Sequence, residues 1–339
     1  KMQHLVTNRQ QLLDKSGNLT EAGYSTHAVF EYDAKKIKAN KLRIKEWDFY
    51  QISNSEWCLQ MTIGHVSYCS SINCSLFNIY TGERYEIGKL KAFPMLSMGM
   101  ENSAEKDYTL SVADKSFIMN FTVTNKGRHL YLKASNDKYA KVEVDLMLDN
   151  DYSRDKMVIA TPFEENKHFF YNYKENCYAV EGYARFDSKI VYLSDAFGLL
   201  DWGRGVWPFA HSWIWGNGST KLSDGKMFGF NIGWGFGNTE KATENMVFYD
   251  YKASKLGDIT LTRNEENLLE PWTFVESSGR MRLTMQPIFD NFTQTKILFV
   301  NNKCHQVFGK FSGFVILDDG KVIEVDNMTA FCENANNHW

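Results

Sequence analysis

Apolar and polar side chains alternate with a period of two along much of this 339-residue chain, and that rhythm narrows the possible folds more than any other feature. In Val142-Glu143-Val144-Asp145-Leu146 every second residue is apolar, so an extended backbone buries one face and wets the other. Comparable runs occur at 57–66, 117–123, 130–134, 179–186 and 227–232, then at 248–251, 258–261, 272–275, 280–285, 311–317 and 321–325. Between such runs stand Asn125-Lys126-Gly127, Ser223-Asp224-Gly225 and Asp318-Asp319-Gly320, residues that tolerate the positive φ of tight hairpins. Helical spacing is confined to residues 1–13 and 193–200. The pattern predicts a mostly β chain of half-buried antiparallel strands.

The length exceeds the usual size of one core, so one large or two fused domains are expected. Both halves carry similar numbers of strand-like runs, which places a boundary near 190–200: an N-terminal unit over 1–190 and a C-terminal unit over 191–339. An aromatic content of 15% favours barrel or sandwich packing, or aromatic-lined cavities. With a net charge of -3 and no long Lys/Arg run, nucleic acid is not an expected partner. The six cysteines are scattered without CxxC spacing, and the histidines show no HxH or HExxH pattern, so neither a disulfide framework nor a metal is indicated. The first residues lack an apolar core, and no run of about 18 apolar residues occurs, so the expectation is a cytoplasmic protein without a membrane span.

Chemistry concentrates in residues 201–218, where Trp202, Trp207, Trp213 and Trp215 are interleaved with Asp201, Arg204 and His211. Polar tips among indoles destabilise unless each finds a partner. On an extended backbone His211, Trp213 and Trp215 share one face, which would set a proton-transfer group in an aromatic wall; the alternative is a satisfied core histidine. Gly203, Gly205 and Pro208 point to bulged or rim geometry. Asp201 and Arg204 either pair across a turn or serve a site.

A second cluster runs Gly229-Phe230-Asn231-Ile232-Gly233-Trp234-Gly235-Phe236-Gly237-Asn238 and ends in Thr243-Glu244-Asn245. Its glycines continue a strand rather than open a helix, which argues against a nucleotide site; they suit a strand pressed against another backbone or making room for a ligand. Glu244 is either a buried general acid or base or a turn residue. The candidate catalytic residues are thus Asp201, His211 and Glu244. The candidate substrate-binding residues are Trp202, Arg204, Trp207, Trp213, Trp215, Trp234 and Asn231.

The runs Arg43-Ile44-Lys45-Glu46-Trp47-Asp48-Phe49-Tyr50, Asp201-Trp202-Gly203-Arg204-Gly205-Val206-Trp207-Pro208, Ala242-Thr243-Glu244-Asn245 and Phe308-Gly309-Lys310-Phe311-Ser312-Gly313, with the terminal Trp339, together resemble the bacterial domain-of-unknown-function 2804 family over nearly the whole chain. More distantly the chain is similar to the carotenoid hydratase and tocopherol cyclase group. That resemblance implies two lipocalin-like antiparallel β-barrels or sandwiches packed side by side, with cofactor-free, proton-driven hydration, cyclisation or elimination in an aromatic pocket between them.

These readings lead to an expected cofactor-independent acid/base enzyme, a lyase, hydratase or glycan-cleaving activity, acting on a glycan or isoprenoid-like small molecule in a cleft between the halves. Asp201 or Glu244 would protonate the substrate, indoles would stabilise positive charge, and His211 would handle the second proton. The alternative is a non-catalytic lipocalin-like carrier of a lipid or small hydrophobe, with Asp201 and Arg204 at the mouth of its cavity. A third reading turns the tryptophans outward as a protein-interaction patch.

Overall fold

A computed structural model describes residues 3–297 and 300–339. The chain builds two large sheets, almost entirely antiparallel, and two short 3-10 turns at Ala34–Lys36 and Lys41–Arg43. The first sheet runs from Arg84–Lys89 at one edge through Ser70–Asn78, Trp57–His65, Ile44–Ser53, Phe197–Val206, Phe169–Phe186, Val142–Asp149, Gly127–Ala134 and Phe117–Thr124 to Tyr108–Ala113. The second is a nine-stranded antiparallel sheet in which two meanders, over 210–255 and 259–338, are joined by the pairing of Ala210–Lys221 with Val322–His338. No helix among the described residues is long and apolar enough to cross a membrane.

The strand Phe169–Phe186 makes the first sheet curl. Its register against Phe197–Val206 slips between Glu175 and Tyr178, where Cys177 takes a φ of 67°. Such a bulge bends the strand and increases its local twist. Its first half therefore pairs with Phe197–Val206 and its second half with Val142–Asp149, so the sheet wraps around a core containing Tyr50, Phe121, Leu132, Leu146, Tyr171 and Trp202. The second sheet encloses its own core of Phe230, Trp272, Phe274, Leu283 and Phe311.

The expected hairpins form: Thr124 pairs with Gly127 across Asn125-Lys126, and Gly225 and Gly320 take φ values of 79° and 85°. The helical expectations do not. Residues 3–13 contribute only bridges and the two-residue strand Gln10–Gln11, residues 1 and 2 lying outside the described residues, and residues 193–200 lead into Phe197–Val206. The adjacent Leu199 and Leu200 face different clusters, and both are buried because that strand is covered on both sides. A doubly covered strand loses its alternation and imitates a short helix.

Sheet membership changes between Val206 and Ala210. The strand bearing Asp201, Trp202 and Arg204 is therefore a central member of the first sheet, although the sequence boundary at 190/191 assigned it to the second unit. One face of each sheet packs against the other. The layer between them is where the candidate residues must be sought.

Candidate functional site

Period-two geometry sorts the side chains of the central strands. Leu199, Asp201 and Gly203 face the second sheet, whereas Leu200, Trp202 and Arg204 face the core of the first. On the adjacent strand Asn172 and Lys174 face the layer and Tyr171 and Tyr173 the core. The second sheet answers with Trp213, Trp215 and Asn217 from Ala210–Lys221, Asn231 from Met227–Trp234, and Glu333 from Val322–His338.

These residues form a buried polar layer of three hydrogen-bonded groups, coupled through the charges of Asp201 and Lys174. Lys174 lies directly across the ladder from Asp201. Its ammonium ion-pairs with Glu244 and stands 4.6 Å from the centre of the Trp215 ring, a cation-π distance. Asn231 donates to Glu244 Oε2 at 3.0 Å and accepts from Trp215 Nε1 at 2.7 Å and from Asn217 Nδ2 at 3.1 Å. Asn217 and Asn176 exchange amide hydrogen bonds across the sheets at 2.8 and 3.0 Å. Asp201 accepts from Asn172 Nδ2 at 2.6 Å. Glu333 accepts from Trp213 Nε1 at 2.8 Å and from Gln306 Nε2 at 3.4 Å. Apolar clusters flank the polar layer, with Phe77, Phe308 and Phe331 in one and Phe170, Trp207 and Phe236 in the other.

Two glycines make the arrangement possible. A Cβ on Gly233 would lie 2.2 Å from Glu244 Oε1, and one on Gly203 would lie 2.3 Å from the Trp47 ring. The glycine and aromatic run around residue 233 therefore makes room for a carboxylate of the same chain.

The environment moves two carboxyls upward. Burial raises Asp201, opposed by the Lys174 charge and the Asn172 hydrogen bond. Burial pushes Glu333 up to about 7, opposed by the Trp213 N–H, while the charge of Asp201 pushes it further up. A buried carboxyl that holds its proton near neutrality is a general acid in waiting.

This shift carries a stability signature. Glu333 holds its proton more tightly in the folded chain, so its stabilising contribution is complete below about 4.5 and is lost as pH rises through about 7. Over that interval Glu333→Gln, which cannot ionise, is expected to gain about 3 kcal/mol relative to the parent. Urea unfolding of both proteins at pH 4.5 and pH 8 checks this, and a difference that does not change with pH would contradict it.

Several expected site residues lie elsewhere. Arg204 is fully buried in the first core, where its guanidinium meets Asp48 Oδ1 at 2.9 Å and Glu46 at 3.6 Å and stacks 3.8 Å over Trp202. It does not pair with Asp201, because residues three apart on a strand point to opposite faces. Trp202 packs on Tyr32 and Tyr171 in the same core. Trp234 packs against the core of the second sheet.

His211 and Trp207 stand in an aromatic box at one end of the layer. There the His211 ring stacks on Trp213 at 5.6 Å and meets the Trp339 ring edge-on at 4.5 Å. Its Nδ1–H donates to the carbonyl of Pro208 at 3.0 Å. Burial, with Lys45 adding to it, lowers its pKa to about 3, so the imidazole is neutral. Asp201 and Glu244 meet at Lys174, whereas the cation acting on His211 is Lys45.

The hollow expected between the halves is filled. Trp213 and Trp215 satisfy their N–H groups on Glu333 and Asn231, and their rings pack against Phe236 and Phe331. A crevice at the seam, lined by Gln51, Leu199, Asn217, Ser219 and Phe331 among others, has room for about 10 Å³, enough for a water molecule and no more.

Lys174 and Glu333 were not anticipated. Each had a signal: Asn172, Lys174 and Asn176 are polar at every second position within an aromatic run, and Glu333 shares parity with Phe331 and Ala335. Polar residues at buried parity in a long strand mark an internal polar layer.

The sequence profile described as a domain of unknown function, DUF2804, matches residues 3–339. The chain belongs to the DUF2804 family. No curated protein matches this DUF2804 chain by sequence. Among solved structures it is similar to kievitone hydratase from Nectria haematococca, with a TM-score of 0.51, 11% identity and coverage of 97% of this chain and 98% of that one. A protein assigned as AttH from Nitrosomonas europaea gives a TM-score of 0.48 at 11% identity, covering 91% and 96%. The likeness to the hydratase is one of fold, and the DUF2804 chain has the expected architecture of two lipocalin-like antiparallel sheets side by side.

Proposed function

We propose that this chain is a cofactor-independent acid/base enzyme that adds water to, or eliminates it from, a small unsaturated molecule held between the two sheets. The observation that carries the reading is the pair of buried carboxyls, Asp201 and Glu333, raised by burial and set beside Lys174, Glu244 and two indoles. Perturbed acids gathered at one place are characteristic of catalytic centres.

In the hydration direction the neutral Glu333 carboxyl donates its proton to an alkene carbon. The π electrons form the new C–H bond, and the adjacent carbon becomes electron-poor beside the faces of Trp213 and Trp215. Water attacks that carbon, and its proton passes to the Asp201 carboxylate, so that the product is an alcohol. Elimination is the reverse. His211, neutral and enclosed by rings, is a wall residue in this scheme rather than a proton carrier.

A carrier would need an apolar chamber with charges at its rim; here the charges occupy the middle of the layer. A glycan needs exposed indole faces along an open groove, whereas Trp215 is buried and Trp213 half-buried. These features favour an isoprenoid or other unsaturated hydrophobe. The substrate enters by parting the seam at Gln51, Asn217 and Phe331, the place where the layer has a crevice.

The test is turnover of a panel of isoprenoid and aromatic alkenes and their hydrated counterparts, with a glycan panel alongside, by the purified chain and by Asp201→Asn and Glu333→Gln. Water addition or loss that both substitutions remove supports the reading. Turnover unchanged in both variants, or none on any substrate, overturns it.

A further inference from the structure

Three loops meet at one end of the first sheet. The Ser67 hydroxyl lies 2.7 Å from the carbonyl oxygens of both Lys41 and Ile44 and shares its one proton between them. Phe93 N–H donates to Tyr68 O at 2.8 Å, Met95 N–H to Ser67 O at 2.9 Å, and Ser70 N–H to Lys91 O at 2.9 Å. Residues 41–44, 66–70 and 91–95 are thereby stapled into a single tip.

The composition of this tip differs from the rest of the chain. Residues 34–45, Ala-Lys-Lys-Ile-Lys-Ala-Asn-Lys-Leu-Arg-Ile-Lys, contain six basic side chains, and residues 89–97 add Lys89 and Lys91; none of the three segments contains an acid, although the whole chain has a net charge of -3. Lys45 is buried and Lys89 is paired with Asp114; of the other six, Lys35, Lys36, Lys38, Lys41 and Lys91 are exposed and Arg43 is half-buried. Among them stand exposed apolar side chains: Leu90 is 72% exposed, Phe93 69%, Leu42 46% and Leu96 37%.

The backbone is strained to keep them there. Phe93 has a φ of 47° and Met95 one of 50°, a region that bulky residues avoid, and such outliers cluster where function requires them. The two turns hold Phe93 in water while Met95 is half-buried and Pro94 buried.

Exposed aromatic and aliphatic side chains beside Lys41 and Lys91, in segments that hold no acid of their own, match a surface that is negatively charged outside and apolar just beneath; an acid on this side, Glu165, lies by Lys38. We propose that the tip formed by Leu42, Leu90, Phe93 and Leu96 with Lys41 and Lys91 docks on an anionic lipid surface. Leu90 and Phe93 enter the boundary between head groups and acyl chains, and the lysines reach back to the phosphates. This contact is peripheral and independent of the chemistry proposed for the inter-sheet layer.

Co-sedimentation of the full chain with phosphatidylcholine vesicles, with and without phosphatidylglycerol, tests it. Binding is expected only with the anionic lipid and should weaken as salt rises. Each lysine near the surface is worth about fivefold in partitioning, so Lys41→Glu with Lys91→Glu should lower binding by at least about tenfold. Leu90→Ser with Phe93→Ser should also release the protein from vesicles, while leaving any binding to soluble polyglutamate unchanged. These exposed substitutions leave the cores intact, which circular dichroism verifies. Absence of binding to anionic vesicles overturns the proposal. So does a Leu90→Ser/Phe93→Ser variant that binds them like the parent, since the basic tip would then answer to an acidic protein or polymer rather than to lipid.

Discussion

Turnover by Asp201→Asn or Glu333→Gln is expected to fall by about 100- to 10,000-fold, the usual contribution of a positioned proton donor or acceptor. Each replacement keeps the shape of the side chain and its capacity to accept the existing bond, from Asn172 in one case and from Trp213 in the other. What is removed is the proton that Glu333 gives and the basic oxygen by which Asp201 takes one. Glu333→Gln is further expected to be as stable as the parent or more so at neutral pH, since it removes a carboxyl that burial disfavours in its charged form. Loss of activity with retained or increased stability separates a catalytic role from a structural one. A variant that loses both together would assign the carboxyl to the fold.

Arg204→Met is expected to cost about 3–5 kcal/mol of stability, because it leaves Asp48 and Glu46 as buried carboxyls without their cation. Both carboxyls and the guanidinium are almost entirely buried, and Arg204 also donates to the carbonyls of Trp47 at 2.7 Å and Glu101 at 3.0 Å. The residue ties two neighbouring strands and the segment that closes the first core. Addition of Asp48→Asn and Glu46→Gln to the Arg204→Met chain should recover part of the loss, because the stranded charges are then gone. Urea unfolding measures all of these; a loss below about 1 kcal/mol in Arg204→Met would contradict the buried-pair account.

The layered β architecture was legible in the sequence because half-buried strands keep their alternation, as in Val142–Asp149, whose paired neighbours carry the same rhythm. Legibility failed where strands are covered on both faces. Leu199 and Leu200 read as helical, and Trp202 and Arg204 read as members of the same site as Asp201, because composition alone does not reveal which face of a doubly buried strand meets which core. The shared face of His211, Trp213 and Trp215 follows from period two and is present. Whether Asp201 and Glu244 meet depends on the pairing of Phe169–Phe186 with Phe197–Val206 and on the packing of one sheet against the other, contacts between residues far apart in sequence.

Lys174 and Glu333 illustrate the same limit. Each sits at a buried position in a long strand, a pattern visible in the sequence, but the reason to single them out is a neighbour contributed by the opposite sheet. The filled layer was likewise beyond the sequence: indoles suit a ligand wall and a solid core equally well, and only the partners of their N–H groups decide between the two.

The central claim is that a carboxyl between the sheets holds its proton near neutral pH. A 13C NMR titration of the full chain labelled at glutamate Cδ, with the Glu333 signal assigned by its disappearance in Glu333→Gln, measures this directly. The account predicts a midpoint of about 7 for Glu333. A midpoint near 4.5, the ordinary value for a glutamate side chain, would contradict it.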